Sequence, residues 1–327
     1  MGTLREILRC AQEGKPNLIL VPKSASDYQR SQNSLEPAKF EWYGYLSNGI
    51  KKMRPAESIA LWADHNMLID AHTHMDKYED ELELALDEIN QHRIFTISNS
   101  MDLPSYQRNL AIAERCDWVL PTFGIHPWRA PHYVDRLPEL TEAIRETPIL
   151  GEIGLDYRFV KDASQYPAQR EVFHFFLAAA HEQNKIVNLH TSGAEPEILH
   201  LLKQYDIQRS IIHWYAGSLD LIEPLVEQGA FFTIGVELFH SEHIQKIAEA
   251  VPLERLLTET DNPGGEEWLT GILGMPVLVT KVIQGLAKLR NMTVEMMSQT
   301  IEKNFLQLIQ NDPWLLETYR RVLSISH

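Results

Sequence analysis

From Met67 onward the chain alternates between two hydrophobic rhythms. Short runs of mostly apolar residues recur at MLIDA (67–71), IFTIS (94–98), WVLPTFGI (118–125), ILGEIGL (149–155), IVNLH (186–190), SIIHW (210–214), FFTIG (231–235) and LLTET (256–260), and each predicts a strand. Between them apolar residues fall at helical spacing, as in Leu82, Leu84, Ala85 and Ile89, or in Phe173, Phe176, Leu177 and Ala180. Strand alternating with helix is the pattern of βα units and a parallel sheet. Eight units in the 261 residues that follow position 66 match the roughly 250 residues of an α/β protein of the (β/α)8 TIM barrel type. A doubly wound open sheet is the alternative, but no glycine-rich dinucleotide fingerprint follows the first strand.

Residues 1–66 follow neither rhythm and read as an N-terminal extension to a barrel spanning 67–327. TLREILRCAQ places Leu4, Ile7, Leu8 and Ala11 at helical spacing, EWYGYL and SIALW supply aromatic residues, and KSASDYQRSQNSLEP (23–37) has the composition of a polar linker. There is no internal repeat.

Composition narrows the class. With 44% hydrophobic and 23% charged residues the chain is globular, and it has no apolar run of the length a transmembrane helix needs. The N-terminus lacks the uninterrupted apolar region of a secretory signal, so the expectation is a cytoplasmic protein with no membrane association. Two cysteines, Cys10 and Cys116, are too few for a disulfide framework and read as reduced core residues. The net charge of −15 argues against nucleic-acid binding through a broad basic surface. Residues 1–66 hold nine Lys/Arg against seven Asp/Glu, leaving 21 against 38 afterwards, so the acidity belongs to the barrel.

A barrel carries its chemistry at the carboxyl ends of its strands. There the sequence places His72 and His74 after the first strand, Glu152 on the fourth, His190 ending the fifth, His213 on the sixth and Asp261 after the eighth. In a strand, residues two apart share a side, so His72 and His74 emerge together. One histidine at a strand end is ordinarily a hydrogen-bonded core residue, and one Asp before Asn-Pro is ordinarily a helix cap. Six imidazole and carboxylate groups on five strand ends are a different matter, because together they form a metal-ligand set.

The ordered set LIDAHTHMD, GIHPW (124–128), GEIGLDYR (151–158), the strand ends at His190 and His213, and ETDNP (259–263) resembles the TatD family of metal-dependent deoxyribonucleases in the amidohydrolase superfamily, over Met67 to about Ile309. The resemblance implies two divalent cations, one held by His72, His74, Glu152 and Asp261 and the other by Glu152, His190 and His213, with Glu152 bridging. Mixed N/O ligation suits Zn²⁺ or Mn²⁺ and tolerates Mg²⁺. Two cations about 3.5–4 Å apart activate a water, clamp a phosphate and steady the leaving oxygen. The implied reaction is phosphodiester hydrolysis of DNA, as a 3'-5' exonuclease, with Glu152 and Asp261 as catalytic residues and Asp261 also as proton acceptor.

Several neighbours stay open. His126 is either a phosphate contact or a ring turned into the loop before Pro127. Asp156 and Arg158 are substrate contacts, an orienting pair, or a structural ion pair. Trp128 and Trp214 stack on bases, or one of them belongs to the core. The chain also departs from the family pattern. Ser192 stands where many members have Arg, GILGMP (271–276) replaces an Arg-Asn-x-Pro, and Thr73 replaces a frequent Cys. Lost cations weaken the case for binding long polymers but leave the metal ligands untouched. Two further readings remain: hydrolysis of another small ester or amide, and a barrel recruited through residues 1–66 to a protein partner, such as a phage-defence assembly.

Overall fold

A computed structural model describes residues 67–325, the backbone of three strands before them, and nothing else of the chain. These strands, β1 (Leu18–Pro22), β2 (Phe40–Leu46) and β3 (Gly49–Met53), pair antiparallel in that order, with Ile19 opposite Tyr43 and Trp42 opposite Met53. The EWYGYL segment therefore lies in β2. The TLREILRCAQ and 23–37 readings, Cys10, SIALW and most of the proposed partner-binding extension lie outside the described residues. The chain forms two compact units, Met1–His65 with Ile309–Arg320, and Asn66–Leu308 with Arg321–His327.

The second unit is the barrel. Its parallel strands are β4 (Leu68–Thr73), β5 (Ile94–Ser98), β6 (Val119–Pro121), β7 (Ile149–Gly154), β8 (Ile186–His190), β9 (Ser210–Ile212), β10 (Ala230–Ile234) and β11 (Leu256–Thr258). Hydrogen-bonded ladders run β4-β5-β6 and β7-β8-β9-β10-β11. Two seams join the ladders. Phe123 bridges Leu150 in parallel, and the Gly151 N–H donates to the Phe123 carbonyl at 2.9 Å. On the other side the Asp261 N–H donates to the His72 carbonyl, and the His74 N–H to that of Asn262, each at 2.9 Å.

All eight anticipated strands are present, and four are shorter than the apolar runs suggested: β7 stops one residue early at Gly154, and β6, β9 and β11 stop two or more residues early at Pro121, Ile212 and Thr258. Beyond those points the backbone leaves the ladder to present side chains to the barrel mouth. Trp214 and Asp261 adopt left-handed backbone angles there, with φ of 41° and 51°. Such angles are uncommon for residues with a Cβ and recur at functional sites.

Amphipathic helices cover the sheet. They include α1 (Leu82–His92), α2 (Leu103–Ala113), α3 (Thr141–Glu146), α4 (Tyr166–Gln183), α5 (Glu195–Gln204), α6 (Ile222–Glu227), α7 (Glu242–Ala250), α8 (Gly264–Thr270), α9 (Leu278–Leu289) and α10 (Val294–Ile309). A last helix, α11 (Pro313–Ile325), belongs in most of its length to the first unit. Helix α4 buries Phe173, Phe176, Leu177 and Ala180 as its spacing requires. In α1, Ala85, Leu86 and Ile89 are buried while Leu84 is 52% exposed, so Leu84 belongs to the solvent face and not to the anticipated stripe. Cys116 is buried and free. Among the described residues no helix is long and apolar enough to cross a membrane.

The barrel interior is polar near the mouth. Along β4, Ile69 and Ala71 alternate with Asp70 and His72, and all four are buried. Asp70 accepts from the Thr260 N–H at 2.9 Å and from the Thr260 hydroxyl at 2.7 Å, fastening the end of β11 to β4. Burial drives the Asp70 pKa well above the ordinary aspartate range, against those two hydrogen bonds.

Candidate metal centre

The six residues singled out at the strand ends converge on Glu152, which is 2% exposed. Its two carboxylate oxygens face different partners. Oε2 lies 3.3 Å from His74 Nε2 and 3.6 Å from His72 Nε2. Asp261 Oδ1 completes that set, 3.4 Å from His74 Nε2 and 3.6 Å from His72 Nε2. Oε1 lies 2.8 Å from His190 Nδ1, and 3.3 Å from both His213 Nε2 and His126 Nε2.

The first set matches a cation in size. Tetrahedral ligands with bonds of about 2.0–2.2 Å stand about 3.3–3.6 Å from one another. Buried His72 Nε2 has no hydrogen-bond partner among the described residues, a costly state for a polar atom unless a ligand completes it. The donors are imidazole nitrogens and carboxylate oxygens without thiolate, as the sequence indicated. The residues present therefore fit a divalent cation.

Hydrogen bonds behind the rings fix which nitrogen faces inward. His72 Nδ1 lies 2.9 Å from Asn188 Oδ1, His74 Nδ1 lies 3.1 Å from the Asn99 carbonyl, and His213 Nδ1 lies 3.2 Å from Glu259 Oε2. With these oxygens accepting from Nδ1–H, each ring turns Nε2 inward, an arrangement typical of metal-ligating histidines. His190 is reversed: Nδ1 faces Glu152, and Nε2 lies 3.1 Å from Asp156 Oδ2. Asn188, Asn99 and Glu259 escaped the sequence reading. Only Glu259 left a signal, as a carboxylate inside an otherwise buried run, two residues before Asp261.

Close approach is essential at Gly124. A Cβ at that position would stand 2.3 Å from the Glu152 carbonyl oxygen, so the glycine of GIHPW lets the third strand end pack directly on the backbone of Glu152.

Electrostatics follow from this crowding. Burial by itself raises the Glu152 pKa, but the surrounding imidazoles, His126 and His213 foremost, outweigh it and hold the carboxylate well below its ordinary value. Burial lowers the His74 pKa, yet its Glu152 hydrogen bond and the Asp261 charge take it up to about 9. His126 goes the other way, down to about 4, because burial dominates. Its Nδ1 accepts from the Trp128 N–H at 3.2 Å, so the neutral ring carries its proton on Nε2, directed at Glu152 and His190. The loop reading of His126 is thereby corrected, since the ring points into the centre.

Asp156 accepts from the Trp128 indole at 2.6 Å and from the N–H groups of Arg158 and Phe159 at 3.0 and 2.7 Å. Burial opposes its ionisation, but the His190 contact and these donors hold its pKa down to about 2. It orients His190. The anticipated ion pair with Arg158 is absent among the described residues: only the Arg158 backbone meets Asp156, while its side chain lines the cavity. That cavity, about 530 Å³, opens over the centre and is bordered by Lys77, Arg158, Trp128, Trp214 and Trp268. Neither Trp128 nor Trp214 is buried.

Comparison with known proteins agrees with this architecture. The family model described as TatD related DNase matches residues 69–310. An uncharacterized metal-dependent hydrolase of Methanocaldococcus jannaschii is 30% identical over 249 residues, covering 72% of this chain and 94% of that one. The human 3'-5' RNA nuclease TATDN2 is 31% identical over 159 residues, 45% of this chain and 20% of its own. The crystal structure of a TatD homologue from Escherichia coli K12 superposes with a TM-score of 0.67 at 25% identity, covering 74% of this chain and 97% of that one. The chain belongs to the TatD family of metal-dependent hydrolases.

Proposed function

We propose that the centre binds two divalent cations bridged by Glu152 and hydrolyses phosphodiester bonds, and that the protein is a 3'-5' exonuclease acting on DNA. The observation that carries this reading is the division of labour within Glu152, whose Oε2 faces His72 and His74 while Oε1 faces His190 and His213. His72, His74, Glu152 and Asp261 would hold one ion, and Glu152, His190 and His213 the other. When bound, such a pair activates water and neutralises charge on a phosphate. The ion is Zn²⁺, Mn²⁺ or Mg²⁺ by donor chemistry.

The remaining work falls to the side chains. Asp261 is the proton acceptor. Burial raises its pKa against the pull of the nearby imidazoles, and its Oδ2 has no hydrogen bond among the described residues. His126 lines the cavity beside Glu152, where its ring would lie against an entering phosphate. Among the described residues Arg158 and Lys77 are the only Lys or Arg side chains lining the cavity, and they meet the phosphates that flank the scissile bond. The polarity of cleavage and the choice of nucleic acid follow the family description and the name of the human relative.

The test is a 5'-labelled single strand incubated with pure protein and Mn²⁺, beside an RNA strand and a panel of small esters and amides. A ladder shortening from the 3' end is expected. Asp261→Asn should keep the circular dichroism spectrum and lose most turnover. An uncut strand, or an active Asp261→Asn variant, contradicts the reading.

A further inference from the structure

Three aromatic side chains meet at the mouth of the cavity without entering the core. Trp268 is 65% exposed and Phe159 is 48% exposed, and both line the same cavity as Glu152, His190 and Asp261. Single exposed apolar residues are ordinary. These are not single. The Phe159 and Trp268 ring centroids lie 6.3 Å apart at 89°, and those of Trp214 and Trp268 lie 6.0 Å apart at 73°. Edge-to-face contact supports the Trp268 indole while leaving broad ring surface open to the cavity.

The cluster is anchored to the candidate ligands. Trp214 follows His213 directly, its N–H donates to Glu259 Oε1 at 3.0 Å, and its indole donates to Glu237 Oε2. Helix α8, which carries Trp268, begins three residues after Asp261. Gly265 lets the two elements close up, since a Cβ there would stand 2.4 Å from the Thr260 carbonyl oxygen and 3.1 Å from Trp214 Cζ3. Trp214 is therefore held beside the centre, and Trp268 rests against it.

Charge decides what the rings receive. Glu237 and Glu267 line the cavity with them, so this side repels phosphate and offers acceptors to amino groups. Among the described residues the cavity has only Lys77 and Arg158 to neutralise a backbone, with Ser192 and Leu273 uncharged beside them. Binding that cannot come from many phosphate contacts must come from another source.

We propose that Trp268, Phe159 and Trp214 form a stacking seat for one unpaired nucleobase of the strand presented to the neighbouring centre. The proposal rests on the phosphodiesterase reading above. A base within a duplex reaches such a seat only after unpairing and unstacking. Stacking is indifferent to sequence because every base has a flat face.

The test compares two strands of equal length and charge, a phosphorothioate oligodeoxyadenylate that resists cleavage and its abasic counterpart, bound to the protein in Mg²⁺ and followed by tryptophan fluorescence. The base-bearing strand should bind about 5- to 100-fold more tightly. Trp268→Ala should erase that difference and Trp268→Phe retain most of it, with metal content and circular dichroism unchanged in both. Cleavage of ordinary strands should show a higher kcat/KM for single than for double strands, and Trp268→Ala should lose the advantage mainly in KM. Equal binding of the two strands by the wild type, or a difference that survives Trp268→Ala, overturns the seat. A strand cut without dependence on its bases refutes the seat alone. Base-dependent binding of a strand left uncut in Mn²⁺ supports the seat and refutes the nuclease reading.

Discussion

Glu259 holds His213 from behind: its Oε2 lies 3.2 Å from His213 Nδ1, so that Nε2 of the same ring faces Glu152 Oε1 at 3.3 Å. Glu259 is itself fully buried and accepts from the Thr233 hydroxyl at 2.7 Å and from the Trp214 N–H at 3.0 Å. A carboxylate in this position fixes the ring and raises its basicity as a ligand. Glu259→Gln should therefore weaken Mn²⁺ binding about 10- to 100-fold without unfolding the barrel. Isothermal titration of the variant against wild type measures this, and an unchanged affinity would remove Glu259 from the account.

Gly124 is distant in sequence from every proposed ligand, yet its backbone lies against that of Glu152. A methyl group there, 2.3 Å from a carbonyl oxygen, must displace one strand end from the other. Gly124→Ala should cost about 1–3 kcal/mol of stability by overpacking. It should also lower metal occupancy, because Glu152 moves with its backbone. Thermal denaturation with elemental analysis reads both effects, and a variant of wild-type stability would argue against the close approach.

How far the sequence carried this result depended on the reach of each interaction. Every barrel strand was legible, because a strand buried on both faces must be apolar along its length. The six converging side chains were legible too, because strand ends gather in one place once the barrel is assumed. Asn188 and Asn99 were not. They lie in buried strands or strand ends like many other polar residues, and their partners, His72 Nδ1 and His74 Nδ1, are 116 and 25 residues away. The ring orientation of His126 was equally hidden, since it depends on the Trp128 N–H after the turn at Pro127. Leu84 shows the converse limit: an apolar residue near the helical stripe that faces solvent.

Metal removal should be felt in stability as well as turnover. A ligand that binds only the folded chain stabilises it by about 2.7 kcal/mol at a hundredfold excess over Kd. For a barrel of this size that raises the melting temperature by about 5–10 °C. Calorimetry in EDTA and then in excess Mn²⁺ should show this difference, and coincident melting curves would mean that no cation binds the native state.

One surface pair carries a pH dependence with a definite sign. Glu197 accepts from Arg170 Nε at 2.6 Å and from the Tyr157 hydroxyl at 2.9 Å. The Arg170 hydrogen bond holds its pKa below the ordinary glutamate value of 4.5. Its contribution is therefore present above that value and fades as pH falls through the lower, folded one. Because Arg170 is 42% exposed, solvent screening keeps the effect under about 1 kcal/mol. Glu197→Gln should melt slightly below wild type at pH 7 and together with it near pH 2; a gap that widens on acidification would contradict the assignment.

The central claim is a bridged pair of cations, and anomalous diffraction from crystals grown in saturating Mn²⁺ tests it most directly. Two manganese peaks about 3.5–4 Å apart, one beside Glu152 Oε2 and the other beside Oε1, are the predicted result. A single peak on one side of that carboxylate, or none, would contradict it.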